Sequence, residues 1–395
     1  MRVRTARGHA AASRSSTAAV LALGPLALTS CGGNGDDISA TPTGSAVSTL
    51  PPVTASSTPA SSTASVTPGR GGVPTVAGEI ATGLASPWSI AFLPDGSALV
   101  SQRDDGAIER IGADGAVTEV GTVPGVVHAG EGGLLGLAIS PSYATDQLVY
   151  AYFTAASDNR IVRMTYDGTT LGTPAVILSG LAKGSIHNGG RLAFGPDGML
   201  YAGVGETGQT TYAQDTTKLN GKILRMAPDG SVPSDNPFGN LVWSYGHRNV
   251  QGLAFDDEGR LWASEFGQNT WDELNLIQKG ANYGWPVVEG QAGRAGMVDP
   301  IAQWPTDDAS PSGIAISGST VYMAALKGQR LWTIPLPAVP GTSAVKPVAY
   351  FAGTYGRLRD VVNAPDGSLW LLTDNTDGRG SPRDGDDRIL RLTLG

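Results

Sequence analysis

A pattern that recurs six times constrains the fold of this 395-residue chain more than any other feature. Each copy has small or polar residues, an apolar β-type run, Pro-Asp-Gly or a remnant of it, and a second β-type run. Pro-Asp-Gly favours a tight turn because proline fixes φ, aspartate caps the turn and glycine accepts a positive φ. The six apolar runs are centred on Ile90, Leu137, Leu192, Leu253, Ile314 and Val361, at intervals of 47, 55, 61, 61 and 47 residues.

A repeat of about 50 residues made of short strands and tight turns is typical of the blades of a β-propeller. Several copies continue into a third strand-like run, such as 222–225 and 388–391. Two β-sandwiches are the alternative, but they give no reason for six copies. We therefore predict an all-β fold, a six-bladed β-propeller, as one domain over residues 75–395.

The first 74 residues differ from the rest in composition. Four arginines up to Arg14 precede a short apolar run, 17–28, which is typical of a secretory signal. Cys31, the only cysteine, follows Leu28-Thr29-Ser30 and resembles the lipidated cysteine of bacterial lipoproteins. We predict a lipoprotein signal peptide over 1–30 and a flexible tether rich in Ser, Thr and Pro over 31–74. A plain signal peptide followed by an unrelated cysteine is the alternative.

Export would leave the protein lipid-anchored to the outer face of the bacterial cell membrane or in the periplasm. No apolar run reaches the length of a membrane-spanning helix, so contact with the membrane is expected only through Cys31. The net charge of −8 and the isoelectric point of about 5.0, without a basic stripe, argue against nucleic acid as a partner.

Unusual polar groups precede the predicted innermost strands, which in a propeller line a central channel. We call the end of the channel where these strands begin the mouth. The groups expected there are Glu131, His187 to Arg191, His247 to Asn249, Lys327 and Arg357 to Asp360. Several cations at the mouth of an acidic protein favour a small polyanionic ligand. For any single arginine, an ion pair with an acidic neighbour is the alternative.

Several separated motifs resemble the soluble PQQ-dependent glucose and aldose sugar dehydrogenases, where PQQ is pyrroloquinoline quinone. The resemblance covers the whole folded part and is most specific between residues 187 and 286. Its motifs are His187-Asn188-Gly189-Gly190-Arg191, Gly205-Glu206-Thr207-Gly208, Lys218 to Arg225, Tyr245 to Gln251, Glu265 to Asn275 and Asn282-Tyr283-Gly284-Trp285-Pro286.

The resemblance implies PQQ- and calcium-dependent oxidation of aldose sugars at C1 to lactones, with an external electron acceptor. His187 resembles the general base that takes the proton of the C1 hydroxyl while hydride passes to PQQ. Asp272 resembles the carboxylate that orients this imidazole. Backbone carbonyls of Gly267 and Gln268 match ligands of the catalytic calcium, and Glu273 and Tyr283 resemble part of a second, structural calcium site.

PQQ is a flat quinone with three carboxylates, so its site needs cations and hydrogen-bond donors. The residues that match cofactor contacts in the family are Glu131, Arg248, Asn249, Trp304, Thr306, Lys327, Arg357 and Arg359.

Two other functions fit the predicted fold. A calcium-dependent lactonase-type propeller would need several carboxylates and amides in the channel, whereas the predicted mouth is cationic. A non-catalytic extracellular binding module would have no need of His187 and Asp272 together. The sequence therefore favours a sugar dehydrogenase over both.

Overall fold

A computed structural model describes residues 71–337 and 346–395 of the chain. The predicted signal peptide, Cys31 and nearly all of the predicted tether lie outside these residues. Within the described ranges, 24 strands form six four-stranded antiparallel sheets. The same ranges contain no helix that is long and apolar enough to cross a membrane. The six-bladed propeller predicted from the repeat is confirmed.

Each blade runs in chain order from the innermost strand to the outermost. Blade 1 comprises β2 (Pro87–Phe92), β3 (Ala98–Gln102), β4 (Ala107–Ile111) and β5 (Val117–Thr122). Blade 2 comprises β6 (Leu134–Ile139), β7 (Leu148–Thr154), β8 (Asn159–Thr165) and β9 (Ala175–Leu181). Blade 3 comprises β10 (Leu192–Phe194), β11 (Leu200–Val204), β12 (Lys222–Met226) and β13 (Val242–Tyr245).

Blades 4 to 6 follow the same order, except that the outermost strand of blade 6 comes from the start of the folded chain. Blade 4 comprises β14 (Val250–Phe255), β15 (Leu261–Glu265), β16 (Trp271–Ile277) and β17 (Ala302–Pro305). Blade 5 comprises β18 (Pro311–Ser317), β19 (Thr320–Ala325), β20 (Arg330–Pro335) and β21 (Val348–Tyr350). Blade 6 comprises β22 (Leu358–Asn363), β23 (Leu369–Thr373), β24 (Ile389–Leu394) and β1 (Pro74–Ala81). A helical turn, α1 (Tyr143–Asp146), and a 3₁₀ turn, Thr210–Ala213, lie in loops.

The strand β1 closes the ring by pairing with β24, from Pro74 opposite Leu394 to Ala81 opposite Ile389. The first strand thus begins at Pro74, one residue before the predicted boundary, and Gly71 N–H already donates to Thr320 Oγ1 at 3.1 Å. The apolar cores lie between neighbouring blades, where both faces of each sheet are covered. Tyr150 of blade 2, for example, packs edge-on against Phe194 of blade 3 at 5.0 Å between ring centroids.

The topology determines which loops reach the mouth. The innermost strand of each blade starts there, and the second strand is antiparallel to it, so the second strand ends there. Loops between second and third strands therefore lie beside residues that precede innermost strands. This places Glu206, Gln268, Lys327 and Asp374 at the mouth with His187, Arg248 and Arg357.

Candidate active site

His187 precedes β10 in a backbone conformation that non-glycine residues seldom adopt, with φ of +54°. Its backbone N–H donates to Glu131 Oε2 at 2.8 Å, and its carbonyl accepts from Thr207 N–H at 3.1 Å. Its Nδ1 is hydrogen-bonded to Glu206 Oε1. With Nδ1 holding the proton toward this carboxylate, Nε2 keeps a free lone pair. The imidazole is thus held as a tautomer that can accept a proton.

The sequence analysis expected Asp272 to orient the His187 imidazole. In the structure the two side chains are not paired. The buried Asp272 carboxylate accepts from the backbone N–H of Gly267 at 2.8 Å and of Ser310 at 2.6 Å. Burial raises its pKa to about 6. The carboxylate that orients the imidazole is Glu206, because its loop follows β11 and returns to the mouth beside His187. Asp272 instead holds the loop between β15 and β16.

Blade 4 contributes Arg248 and Asn249, which precede β14. The Arg248 guanidinium donates to Gln268 Oε1 from Nε at 2.9 Å and from Nη2 at 2.6 Å, and to the Phe266 carbonyl at 3.2 Å. Burial lowers its pKa. Asn249 accepts from Gly189 N–H at 3.0 Å, and the Arg248 carbonyl accepts from Glu206 N–H at 2.8 Å. Blades 3 and 4 are thereby joined at His187.

The buried histidine next to Arg248 in the sequence, His247, shares a carboxylate with the Arg248 backbone. His247 is hydrogen-bonded through Nδ1 to Glu265 Oε2 at 2.7 Å and through Nε2 to Ser244 Oγ at 2.8 Å. Its ring stacks on Tyr283 at 4.7 Å. The other Glu265 oxygen accepts from the Arg248 N–H at 2.5 Å. His247 therefore fixes the backbone of Arg248 and has no ring nitrogen left for substrate.

Blade 6 contributes Arg357 and Arg359, both buried and both paired with carboxylates. Arg357 donates to Asp377 Oδ2 from Nη2 at 2.7 Å, and Arg359 donates to Asp374 Oδ2 from Nε at 2.6 Å. Burial raises the pKa of Asp374 to about 6, and lowers that of Arg357. The cationic mouth expected from the sequence is, on this side, an array of ion pairs.

Glu131, Arg359 and Asp377 line one small cleft. Its lining includes residues that the sequence analysis did not name, among them an aromatic ring on β2 and two arginines. The full lining is Trp88, Arg103, Glu131, Gln251, Phe266, Leu326, Arg359, Asp377 and Arg379. Glu131, predicted to contact the cofactor, also accepts from Arg379 Nη1 at 2.7 Å and so spans from blade 2 to blade 6.

Blades 4 and 5 supply the remaining predicted cofactor contacts. Trp304 is buried on β17, directly opposite Asp272, and Thr306 follows that strand in a partly buried position. Lys327 follows β19, is 57% exposed and is paired with Asp307. Its neighbour Leu326 lines the cleft, so the lysine stands at the rim.

The predicted metal residues Gly267, Glu273 and Tyr283 line one small cavity together with Arg248 and Glu289. Glu273 accepts from Gly290 N–H at 2.7 Å and from Asn275 Nδ2 at 3.0 Å, and burial raises its pKa to about 8. The Tyr283 hydroxyl donates to the Leu276 carbonyl at 2.7 Å. In the described part of the chain, no three His, Cys, Asp or Glu side chains could together hold a metal ion.

The sequence model of the glucose/sorbosone dehydrogenase family matches residues 84–390. The chain belongs to this family. The PQQ-bound aldose sugar dehydrogenase of Streptomyces coelicolor is 59% identical, with a TM-score of 0.79, and the match covers 82% of this chain and 98% of that one. The aldose sugar dehydrogenase of Escherichia coli is 31% identical over 76% of this chain and 91% of its own length. Quinoprotein glucose dehydrogenase B of Acinetobacter calcoaceticus is 36% identical, covering 53% and 52% respectively.

The resemblance stated from the motifs is therefore confirmed, and this member of the glucose/sorbosone dehydrogenase family is an oxidoreductase. The non-catalytic and hydrolytic alternatives are not supported. The residues that the sequence analysis missed had one available signal: Glu206, Asp374 and Asp377 all follow second strands, and such loops return to the mouth.

Proposed function

We propose that the chain oxidises aldose sugars at C1 to lactones, with PQQ and calcium as cofactors and His187 as general base. The observation that carries this is the His187–Glu206 pair, set beside Arg248 and Asn249 at the mouth. The 59% identical relative whose structure contains PQQ supports the choice of cofactor.

The residues of the mouth fit PQQ because several buried donors have no hydrogen-bond partner among the described residues. Asn249 Nδ2, Trp304 Nε1 and Arg191 Nη2 are all in this condition. Buried donors are almost always satisfied, so a ligand rich in acceptor oxygens is expected against them. Asn249 and Trp304 are two of the predicted contacts. Arg248 adds a cation whose side chain is held by neutral oxygens of Gln268 and Phe266.

The loop between β15 and β16 fits calcium, which prefers oxygen ligands. Within the described chain, the carbonyls of Gly267 and Gln268 accept no hydrogen bond from another residue. A metal ion at the mouth would therefore meet backbone oxygens rather than a cluster of acidic side chains, as the family resemblance implies. The second calcium site, at Glu273 and Tyr283, stays a prediction.

His187 Nε2 would accept the proton of the sugar C1 hydroxyl, and the Glu206 carboxylate would stabilise the imidazolium that forms. Bound PQQ would supply the acceptor for the hydride of C1, with bound calcium as a Lewis acid beside it. The Glu131 contact to the His187 N–H and the left-handed backbone of His187 hold the ring in place. An external acceptor would then reoxidise the cofactor.

The test is turnover of aldoses with saturating PQQ and calcium. His187→Ala should lower kcat by about 10²–10⁴, the usual contribution of a positioned general base. Glu206→Gln should lower kcat as well, and the double variant should lose less than the product of the two effects because the residues act as a unit. Asp272→Asn should keep the wild-type pH profile of kcat/KM, since its carboxylate touches the metal loop and not the imidazole.

A limb in the pH profile of kcat/KM should disappear in His187→Ala. Turnover of folded His187→Ala close to that of the wild type would contradict the proposal. So would an Asp272→Asn variant that reproduces the His187→Ala pH profile while Glu206→Gln does not.

We also propose that the protein is exported and lipid-anchored through Cys31. The support is the basic and apolar start of the chain followed by its only cysteine. Membrane retention and normal processing that persist without the Cys31 thiol would contradict this.

A further inference from the structure

Two carboxylates accept hydrogen bonds from five consecutive backbone N–H groups, four in the loop between β15 and β16 and the fifth at Trp271, the first residue of β16. Asp272 accepts from Gly267, as described above. Glu289 Oε1 alone accepts from the next four, Gln268 at 2.6 Å, Asn269 at 3.2 Å, Thr270 at 3.1 Å and Trp271 at 3.1 Å. Successive N–H groups that converge on one anion form a concave backbone surface. Glu289 comes from a different loop, after β16.

This arrangement leaves the Gly267 and Gln268 carbonyls without a hydrogen bond from any described residue, whereas the Phe266 carbonyl accepts from Arg248. The N–H groups of residues 268–271 point to Glu289, so the peptide oxygens point away from it. The loop is also very tight at Gly267, where an added Cβ would lie 1.8 Å from the Trp271 carbonyl oxygen and 2.6 Å from Glu289 Oε1. The Glu289 oxygen therefore occupies the inside of the turn, and its charge substitutes for a ladder of backbone hydrogen bonds.

The same loop is linked to the predicted cofactor residue Arg248, because Gln268 Oε1 accepts two hydrogen bonds from its guanidinium. A displacement of the loop would move the Gly267 and Gln268 carbonyls and release the guanidinium together. The loop has no other carboxylate on its N–H groups at 268–271 among the described residues. Its conformation thus depends on Glu289.

We propose that Glu289 is a positioning residue for the catalytic calcium: it shapes the 267–271 loop so that the Gly267 and Gln268 carbonyls face the metal. This inference rests on the proposed function. Groups that hold metal ligands in place without touching the metal commonly contribute about 10–100-fold in metal affinity. We expect an effect of that size on the calcium affinity of the site formed by the Gly267 and Gln268 carbonyls, which must be filled for PQQ to bind.

The experiment is a calcium chloride titration of chelator-treated protein with PQQ present, followed by the absorbance change of PQQ. Glu289→Ala should require about 10–100-fold more calcium for the half-maximal change. Glu289→Gln, which keeps one acceptor oxygen without the charge, should fall between Ala and wild type. The matched control is Asp299→Ala, because Asp299 also caps loop N–H groups, those of Ala292 and Gly293, but not in the 267–271 loop.

Circular dichroism without metal establishes that each variant is folded. At saturating calcium, PQQ affinity of Glu289→Ala should return close to that of the wild type, which general damage to the blade would not allow. If Glu289→Ala does not fold, Glu289→Gln decides, and a calcium requirement equal to that of the wild type overturns the inference.

Two further outcomes separate this inference from the function on which it rests. A wild-type protein that responds to calcium, with Glu289→Ala responding equally, overturns the role of Glu289 and leaves the proposed function standing. A wild-type protein that binds PQQ without any dependence on calcium overturns both.

Discussion

Arg248 on blade 4 and Arg359 on blade 6 reach the same mouth with different partners. The Arg248 side chain donates to uncharged oxygens of Gln268 and Phe266. The Arg359 side chain is paired with the buried Asp374 and also donates to Gln251 Oε1 at 2.9 Å. Both side chains are at least 90% buried, so the difference lies in their partners and not in their exposure.

The comparison shows that two arginines at the same mouth supply different things to a ligand. Arg248 forms no direct ion pair among the described residues, because its side chain donates to neutral oxygens, and the nearby carboxylates, among them Glu206 and Glu289, act on its charge only from a greater distance. The charge of Arg359 is compensated by the Asp374 carboxylate, so this arginine mainly stabilises the structure of the mouth. Removing an arginine should therefore damage affinity on blade 4 and stability on blade 6.

The largest expected effect is on the stability of Arg359→Ala. The substitution leaves Asp374 buried beside Asp377 without its ion-pair partner, and breaking a buried pair in this way costs about 3–5 kcal/mol of the free energy of unfolding. Arg248→Ala should cost about 1 kcal/mol, because it removes hydrogen bonds to neutral groups only. Urea unfolding of both variants without cofactor measures the difference. Equal losses would show that the Asp374 pairing does not matter for stability.

The next effect is on cofactor affinity. Arg248→Ala should raise the Kd for PQQ about 10–100-fold, since a hydrogen bond to a charged group is worth about 1.5–3 kcal/mol. Arg248→Lys, which keeps the charge without the planar donors, should recover part of the loss. Calorimetry with calcium in excess gives both constants. Unchanged affinity in Arg248→Ala would remove this residue from the proposed site.

The sequence predicted the blades correctly because every repeat carries the same local signals, an apolar strand such as that around Ile90 and a Pro-Asp-Gly turn. It also placed His187 and Arg248 at the mouth, since both precede innermost strands. The pairing of side chains was harder, because Asp272 and Glu206 both lie at the mouth and the repeat does not encode which of the two loops lies beside His187. The role of Glu289 depends on a contact between two loops that no repeat encodes.

The smallest effect concerns pH and tests whether Asp374 competes with the ligand for Arg359. Burial raises the pKa of Asp374 to about 6, above its ordinary value of 3.8. As the pH falls through about 6, the Asp374 carboxyl group becomes neutral and Arg359 keeps only Asp377, whose Oδ2 lies 3.7 Å from its Nη2, so more of its charge is available to an anion; as the pH rises, the ion pair with Asp374 forms as well. Wild-type PQQ affinity should therefore fall severalfold as the pH rises from about 5 to 7. Asp374→Asn keeps an acceptor for Arg359 Nε without the titration, so its affinity should change little over this range. The measurement is the Kd for PQQ at fixed calcium and ionic strength across these pH values. A wild-type slope that persists in Asp374→Asn would assign it to another group, and the difference between blades 4 and 6 would then no longer rest on the charge of Asp374.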